Sequence, residues 1–317
     1  MAEKNNNVNL WQNLREIADR VPPPEALAAL HKGADAATSK PLFFICGALK
    51  SGTTWLQLML NAHPEIACRG EGHLLNFLLP GLGKALQEYN SKIGFKNRSI
   101  FNEIEGYPRF AEPQHYALLQ MAVSLLLAQY DGENIRIIGE KSPDNVLGLH
   151  LFARLFPHVK FLHLIRDGRD GAVSGWFHNL RVSKEWAETG FGDLKGFAEN
   201  YAKSWVRSIR AGQEFGAEFP ESYYEVRYED LLSDGETELR GILKFLGASA
   251  DKEEIINCLQ ASSFKNLAKG RGAGKEDRDS HFRKGVQGDW RSHFDDQTHA
   301  NFRSHAGAQL VALGYDD

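Results

Sequence analysis

The sequence predicts a three-layer α/β/α fold around a central parallel sheet, and three observations predict it. Short apolar runs alternate with helical patterns along the chain, the order that builds parallel strands covered on both faces. One such run, residues 41–47, leads through a glycine-bounded loop into a helix carrying Leu56, Met59 and Leu60. That is the outline of a phosphate-binding loop, a P-loop-like turn whose backbone N–H groups and helix dipole point at one spot. Lys50, Lys141, Arg166 and Tyr228 stand just past strand ends, where ligands of such sheets bind.

The 317 residues are 42% hydrophobic and 25% charged, ordinary for a soluble globular chain with ample core. Lys plus Arg (37) against Asp plus Glu (41) gives a net charge of −4, so there is no global nucleic-acid footprint. Cys46, Cys68 and Cys258 are unpatterned, which excludes a metal box and a disulfide framework and fits a reduced compartment. The polar N-terminus has no signal-peptide pattern. The apolar run 117–128 is shorter than the roughly 20 residues a bilayer needs. A soluble cytoplasmic protein follows, with no membrane span, no nucleic acid and no metal.

Residues 1–40 read as an N-terminal helical arm. Leu10, Leu14 and Ile17 have helical spacing, Pro22-Pro23-Pro24 breaks the segment, and 25–32 is a second short helix. Residues 41–317 form the main domain. Its strands are expected at 41–47, 66–68, 136–139, 159–165 and 223–226. Residues 74–114, irregular and rich in glycine and aromatics, read as a lid of short helices. A helix follows over 116–130, others over 145–156 and 194–215, and a last one over 296–313. Residues 265–290, rich in Gly, Lys, Arg and Asp, read as a mobile surface loop.

The spacing of the first loop sharpens its meaning. Gly47 and Gly52 fit the nucleotide loop G-x-x-x-x-G-K-[ST], and Thr54 takes the last place, but Thr53 stands where the lysine belongs. The loop's lysine is Lys50, ahead of the second glycine. A lysine there does not reach β- and γ-phosphates as the nucleotide-loop lysine does. Two further groups offer anion sites. Arg166 ends a strand and Ser174 lies two turns into the next helix; together they hold a second phosphate, or Arg166 braces Asp170. In Arg283-Lys284-Gly285 two cations precede a glycine that lets backbone approach a phosphate; the alternative is a solvated loop.

Lys50-Ser51-Gly52-Thr53-Thr54-Trp55 resembles the loop that binds the 5′-phosphosulfate of 3′-phosphoadenosine 5′-phosphosulfate (PAPS) in sulfotransferases. Arg166 through Ser174 resembles their 3′-phosphate motif, R-[ND]-x-[KR]-D-x-x-x-S. Arg283 through Phe294 resembles their C-terminal R-K-G-x-x-G-D-W-[KR]-x-x-F. The resemblance covers residues 41–294. It implies that Lys50 contacts the phosphosulfate and that Ser51, Gly52, Thr53 and Thr54 hold the 5′ end. Trp55, Tyr228, Ser262 and Phe264 would surround the adenine. Arg166, Ser174, Arg283, Lys284 and Gly285 would take the 3′-phosphate.

The residues also depart from one branch of that family. Small-molecule members carry a base histidine in a K-T-H-like segment. Here the segment is Glu140-Lys141-Ser142-Pro143, similar to the glycan and bacterial branches, whose base is a glutamate in E-x-H-F-F. The matching stretch is Glu71-Gly72-His73-Leu74-Leu75. The resemblance therefore implies Glu71 as general base, with His73 and Lys141 as partners, unless Glu71 is only a structural partner of Arg69 or a lysine. His73 either transfers a proton or orients substrate; His163 and His178 read as structural.

The expected activity is metal-free sulfuryl transfer from PAPS to an acceptor hydroxyl. The acceptor is a small molecule, a lipid-like alcohol, a sugar or an acyl group on a carrier protein. Phe77, Tyr89, Phe95, Phe101, Tyr107 and Phe110 either shape its pocket or pack the lid. The rival readings are a P-loop kinase or NTPase, with Asp167 as magnesium ligand, and a catalytically silent module that binds 3′-phosphoadenosine 5′-phosphate (PAP).

Overall fold

A computed structural model describes residues 17–101, with the side chain of Phe101 excepted, and 106–315. Five strands form one sheet: β1 (Leu42–Gly47), β2 (Ile66–Gly70), β3 (Ile137–Lys141), β4 (Lys160–Ile165) and β5 (Tyr223–Arg227). All pairs are parallel, in the order β2-β3-β1-β4-β5. β1 is central and buried at every position, which is why it reads as an unbroken apolar run rather than an alternation.

The two faces of β1 separate two cores. Phe43 and Ile45 pack with Leu56, Met59 and Leu60 of α2 (Thr53–Asn61), and with α9 (Gly235–Leu246) and α10 (Lys252–Ala261). Leu42, Phe44 and Cys46 face α4 (Glu112–Leu127) and α5 (Leu149–Leu155). Helix, sheet and helix make the three layers expected. A third apolar cluster joins α6 (Gly168–Phe191), α7 (Leu194–Glu218) and α12 (Asp296–Ala312) beside the end of β4. The remaining helices are α1 (Pro24–Thr38), α3 (Leu79–Phe101), α8 (Tyr228–Ser233) and α11 (Phe264–Leu267). Among the described residues, no helix is long and apolar enough to cross a membrane.

Register places the chemistry. Ile45 pairs with Lys141, Gly70 with Lys141, and Gly47 with Leu164. The C-terminal ends of four strands therefore lie at one level, and Lys50, Glu71, Lys141 and Arg166 emerge together at the switch point of the sheet.

Three expectations need correction. The segment 74–114 is not a lid of short helices: after a π-helical turn (Leu74–Leu78), α3 runs for 23 residues. Its inner face carries Leu79 and Leu86, while Gly81 and Gly83 border open space and so cost propensity without breaking packing. The loop 265–290 is tied down: Arg271 bonds the carbonyls of Phe282 and Arg283, and Gly274 N–H donates to Lys284 O at 2.8 Å. In the N-terminal segment, α1 starts with Pro24 in its first turn, as the missing proline N–H allows. It runs to Thr38 and buries Ala34 and Ala37. Leu10 and Leu14 lie outside the described residues.

α6 has one irregularity. Ser183 adopts φ −156°, ψ 90°, so two helical lengths meet at a kink.

Candidate active site

The strand ends open into a cleft of about 660 Å³. Its floor is the β1–α2 loop. Ser51 closes a tight turn onto Ala48 O at 2.8 Å through its hydroxyl. Lys50 takes φ 66° and Gly52 φ 102°, both in the left-handed region. A Cβ on Gly52 would come within 2.7 Å of the Tyr228 ring, so glycine is required there. No side chain caps α2, which leaves its first N–H groups open to an anion. Burial, then the charges of Arg181 and Arg166, depress the Lys50 ammonium to about 8.

The second anion group gathers on the same cleft. The Arg166 guanidinium lies 4.4 Å over Tyr228 and donates to Lys50 O at 3.3 Å and Val286 O at 3.2 Å. Its nearest carboxylate, Asp170, is 3.9 Å away, so the brace is present but loose. Asp170 instead accepts N–H from Gly288 (2.6 Å) and Trp290 (2.9 Å), fastening the C-terminal motif to α6. Arg283 pairs with Glu276 at 2.5 Å and with Asp289, which also holds Lys284. The Nε atoms of Arg166 and Arg283 are buried without a partner among the described residues. Two orphaned guanidinium donors beside Gly285, whose backbone lies bare under Phe264, fit a phosphate. Ser174 also lines the cleft.

Opposite the loop stands Glu71. Its Oε1 accepts from Lys141 at 2.6 Å, and Oε2 is 3.6 Å from His73 Nε2. Lys141 also donates to Thr54 Oγ1 at 3.1 Å. Burial works to raise the Glu71 carboxyl, but Lys141, His73 and Lys50 outweigh it and hold it below the usual range. Glu140, fully buried, accepts from Gly72 N (2.8 Å), Ser142 Oγ (2.7 Å) and Asn145 Nδ2 (2.6 Å). It thereby fixes the residue next to Glu71, although burial raises its own carboxyl.

The structure brings most of the expected residues to one cleft: Lys50, Gly52, Thr53, Thr54, Trp55, Glu71, Arg166, Ser174, Tyr228, Phe264, Arg283, Lys284 and Gly285 all line it. Four do not. Ser51 is folded into its turn, and Lys141 and His73 support Glu71 from outside the lining. Ser262 turns its hydroxyl onto Cys258 O and offers only its carbonyl, which receives Trp55 Nε1 at 2.9 Å. Asp167 caps α6 and pairs with Arg169 at 2.9 Å, and no metal-binding cluster occurs among the described residues.

The aromatic wall comes from elsewhere than expected. Phe77 and Phe95 are 70% and 64% exposed, and none of the five described aromatics of 77–110 lines the cleft. Trp186, Phe191, Phe197 and Phe282 do. His178, read as structural, lines it too, with His281 at 6.1 Å between ring centres. The signal was its place one turn after Ser174 on the same helix face. His163, by contrast, is fully buried against Tyr223 Oη at 2.5 Å.

A model of the sulfotransferase family matches residues 41–252. The chain is 28% identical over 221 residues to zebrafish (Danio rerio) protein-tyrosine sulfotransferase 1, covering 68% of this chain and 57% of that protein. It is 30% identical over 210 residues to chicken (Gallus gallus) protein-tyrosine sulfotransferase 2, covering 66% and 52%. The chain thus spans about half the length of these curated relatives. A mouse sulfotransferase crystallised with PAP superposes with a TM-score of 0.53 at 17% identity, over 89% of this chain and 88% of that one, and shares the fold. With the family's region covering all five strands and the phosphate loop, this chain belongs to the sulfotransferase family.

Proposed function

We propose that this chain transfers a sulfuryl group from PAPS to an acceptor hydroxyl, with Glu71 as general base. The observation that carries the reading is one cleft with two anion sites and a carboxylate between cations. The α2 N-terminus and Lys50 form one site, and the unpartnered guanidinium donors of Arg166 and Arg283 mark the other. PAPS, when bound, supplies a sulfuryl group already activated on a phosphate. Lys50 and the first N–H groups of α2 neutralise the phosphate end. Arg166, Ser174, Arg283, Lys284 and Gly285 hold the 3′-phosphate, and Trp55, Tyr228 and Phe264 flank the adenine.

Glu71 is ionised at neutral pH and so starts as a proton acceptor. Lys141 occupies one of its oxygens; the other, facing His73, takes the acceptor's proton as the acceptor oxygen bonds to sulfur and the bond from sulfur to the 5′-phosphate oxygen breaks, releasing PAP. Residues 41–317 make up the catalytic domain in this reading, and 1–40 are an appendage that α1 anchors on α4. The buried free cysteines suit a reducing, cytoplasmic setting.

Titrating the protein with PAP and with ATP–Mg²⁺, then supplying ³⁵S-PAPS to a panel of phenols, alcohols, sugars and carrier-bound hydroxyacyl groups, tests it. PAP is expected to bind more tightly, and label to move. Tighter ATP binding indicates a kinase or NTPase; tight PAP binding without transfer to any acceptor indicates a silent module.

A further inference from the structure

The cleft does not end at Glu71. Beyond Lys50 its wall is built by the far half of α6, around the Ser183 kink, and by the tip of the 265–290 loop. Here Leu49, Trp186, Phe191 and Phe197 form an apolar side. Trp186 meets Phe191 edge-on at 5.3 Å and yet is 56% exposed, an indole left uncovered at the mouth.

Just behind this mouth, off the cleft lining itself, stands an exposed cation without a counter-ion among the described residues. Arg181 makes no ion pair among the described residues; its Nη2 donates at 3.0 Å to Nδ1 of His178, which lines the cleft. Glu185, four residues on, makes no pair with it across the kink. Lys50 and Arg166 belong to the two donor anion sites already described, and carboxylates hold Arg283 and Lys284 (Asp289), Lys141 (Glu71) and Arg278 (Glu276). Among the described residues that line the cleft, Glu71 is the one carboxylate. The hydrogen bond of Arg181 to His178 ties it to the cleft wall, and its charge adds to burial in depressing Lys50, His178 and His281. His178 and His281, both held near 4 by burial first, are neutral at pH 7 and present ring nitrogens rather than charge.

We propose that this mouth is an oxyanion subsite for the acceptor. Arg181 is its counter-charge, and the uncovered Trp186 carries the acceptor's apolar body. The acceptor is then an amphiphile with a hydroxyl at Glu71, an aryl or alkyl span, and a carboxylate, phosphate or sulfate at the rim. The planar guanidinium suits such groups through paired N–H donors, and the neutral histidines add hydrogen bonds without opposing charge. This assignment rests on the sulfotransfer reading for the place of the hydroxyl, but the anion preference is a property of the wall itself.

Calorimetric titration of the whole chain, saturated with PAP, tests it without needing turnover. The probes are para-hydroxyphenylpropanoate, its methyl ester and tyramine, with ω-hydroxydodecanoate and its methyl ester as the alkyl pair. Para-hydroxyphenyl phosphate separates a phosphate preference from a carboxylate one. The acid is expected to bind about tenfold or more tightly than its ester in at least one pair, as for a hydrogen bond to a charged group. Arg181→Ala should erase that difference, Arg181→Lys should keep part of it, and Arg181→Glu should turn the preference toward tyramine. Equal binding of acid and ester, no binding of any probe, or a preference that survives Arg181→Ala overturns the proposal. Failure of PAP itself to bind sinks the sulfotransfer reading instead, and the acid–ester comparison is then made without PAP.

Discussion

The carboxylate of Asp170 accepts the backbone N–H of Trp290 at 2.9 Å, across most of the second half of the chain. Its other oxygen takes Gly288 N–H at 2.6 Å. An acid therefore fastens the loop of the proposed anion site, which simple charge would disfavour. Asp170→Ala should weaken PAP binding, although it removes a negative charge near the 3′-phosphate groups. It should also cost about 1–3 kcal/mol of stability for the orphaned N–H groups. Tighter PAP binding in the variant, measured by calorimetry, would show that charge and not loop anchoring is what Asp170 contributes.

Arg283 leaves its Nε unpartnered while its other nitrogens rest on Glu276 and Asp289. Arg283→Ala should weaken PAP by about 1.5–3 kcal/mol, roughly 10- to 150-fold. An unaltered affinity would remove this arginine from the 3′-phosphate site.

For Glu71, the expected signature is a split between chemistry and binding. Glu71→Ala should lower kcat by about 10²- to 10⁴-fold, the usual contribution of a positioned base, with PAP affinity changed little. Single-turnover transfer of ³⁵S label reads the first and titration the second. Substantial residual turnover would pass the base role to His73.

Lys50 sets a pH limit. Burial and neighbouring cations bring its ammonium from 10.5 to about 8, so in the free protein the charge is present below about 8 and fades above it. PAP affinity should fall as pH rises through that value, whereas an ordinary lysine would keep it to above 10. Between the two values the unfolded chain holds more protons than the folded one, so the unliganded protein should gain stability with rising pH there. Lys50→Arg, charged throughout, should abolish the break; a break that persists belongs to another group.

Glu140 receives three donors in full burial. Glu140→Ala should cost about 3 kcal/mol or more, as for removing one side of a buried polar network, and Glu140→Gln less. Both should lower kcat more than PAP affinity, because Gly72 loses its tether beside Glu71. Urea melts and transfer rates separate the two effects.

Much of this arrangement is legible before any coordinates. Strands buried on both faces must be apolar throughout, so β1 and β4 stand out as runs. Lys50, Arg166 and Arg283 stand out because their glycine and hydroxyl neighbours sit at fixed offsets. What escapes is set by tertiary packing. α3 hides behind Gly81, Gly83 and Gly94, which local propensity reads as breaks. The aromatic wall of the cleft hides because nothing in the sequence around Ser183 announces a kink, so Trp186 looks like one more surface residue. The ion pairs of Asp289 with Arg283 and Lys284 also depend on how the loop folds back, which no spacing encodes.

The kink at Ser183 divides one helix into two instruments. The first half of α6 carries Ser174 and, through Asp170, the clasp on the C-terminal motif; the second carries Trp186 and ends at Phe191. In the proposed reading, donor recognition and acceptor choice share one backbone, bent between them at Ser183. On that reading, a change in the outer half would alter the acceptor wall without touching the residues proposed to hold the nucleotide. Selectivity in such a protein would evolve at the end of a rod whose root is held fixed.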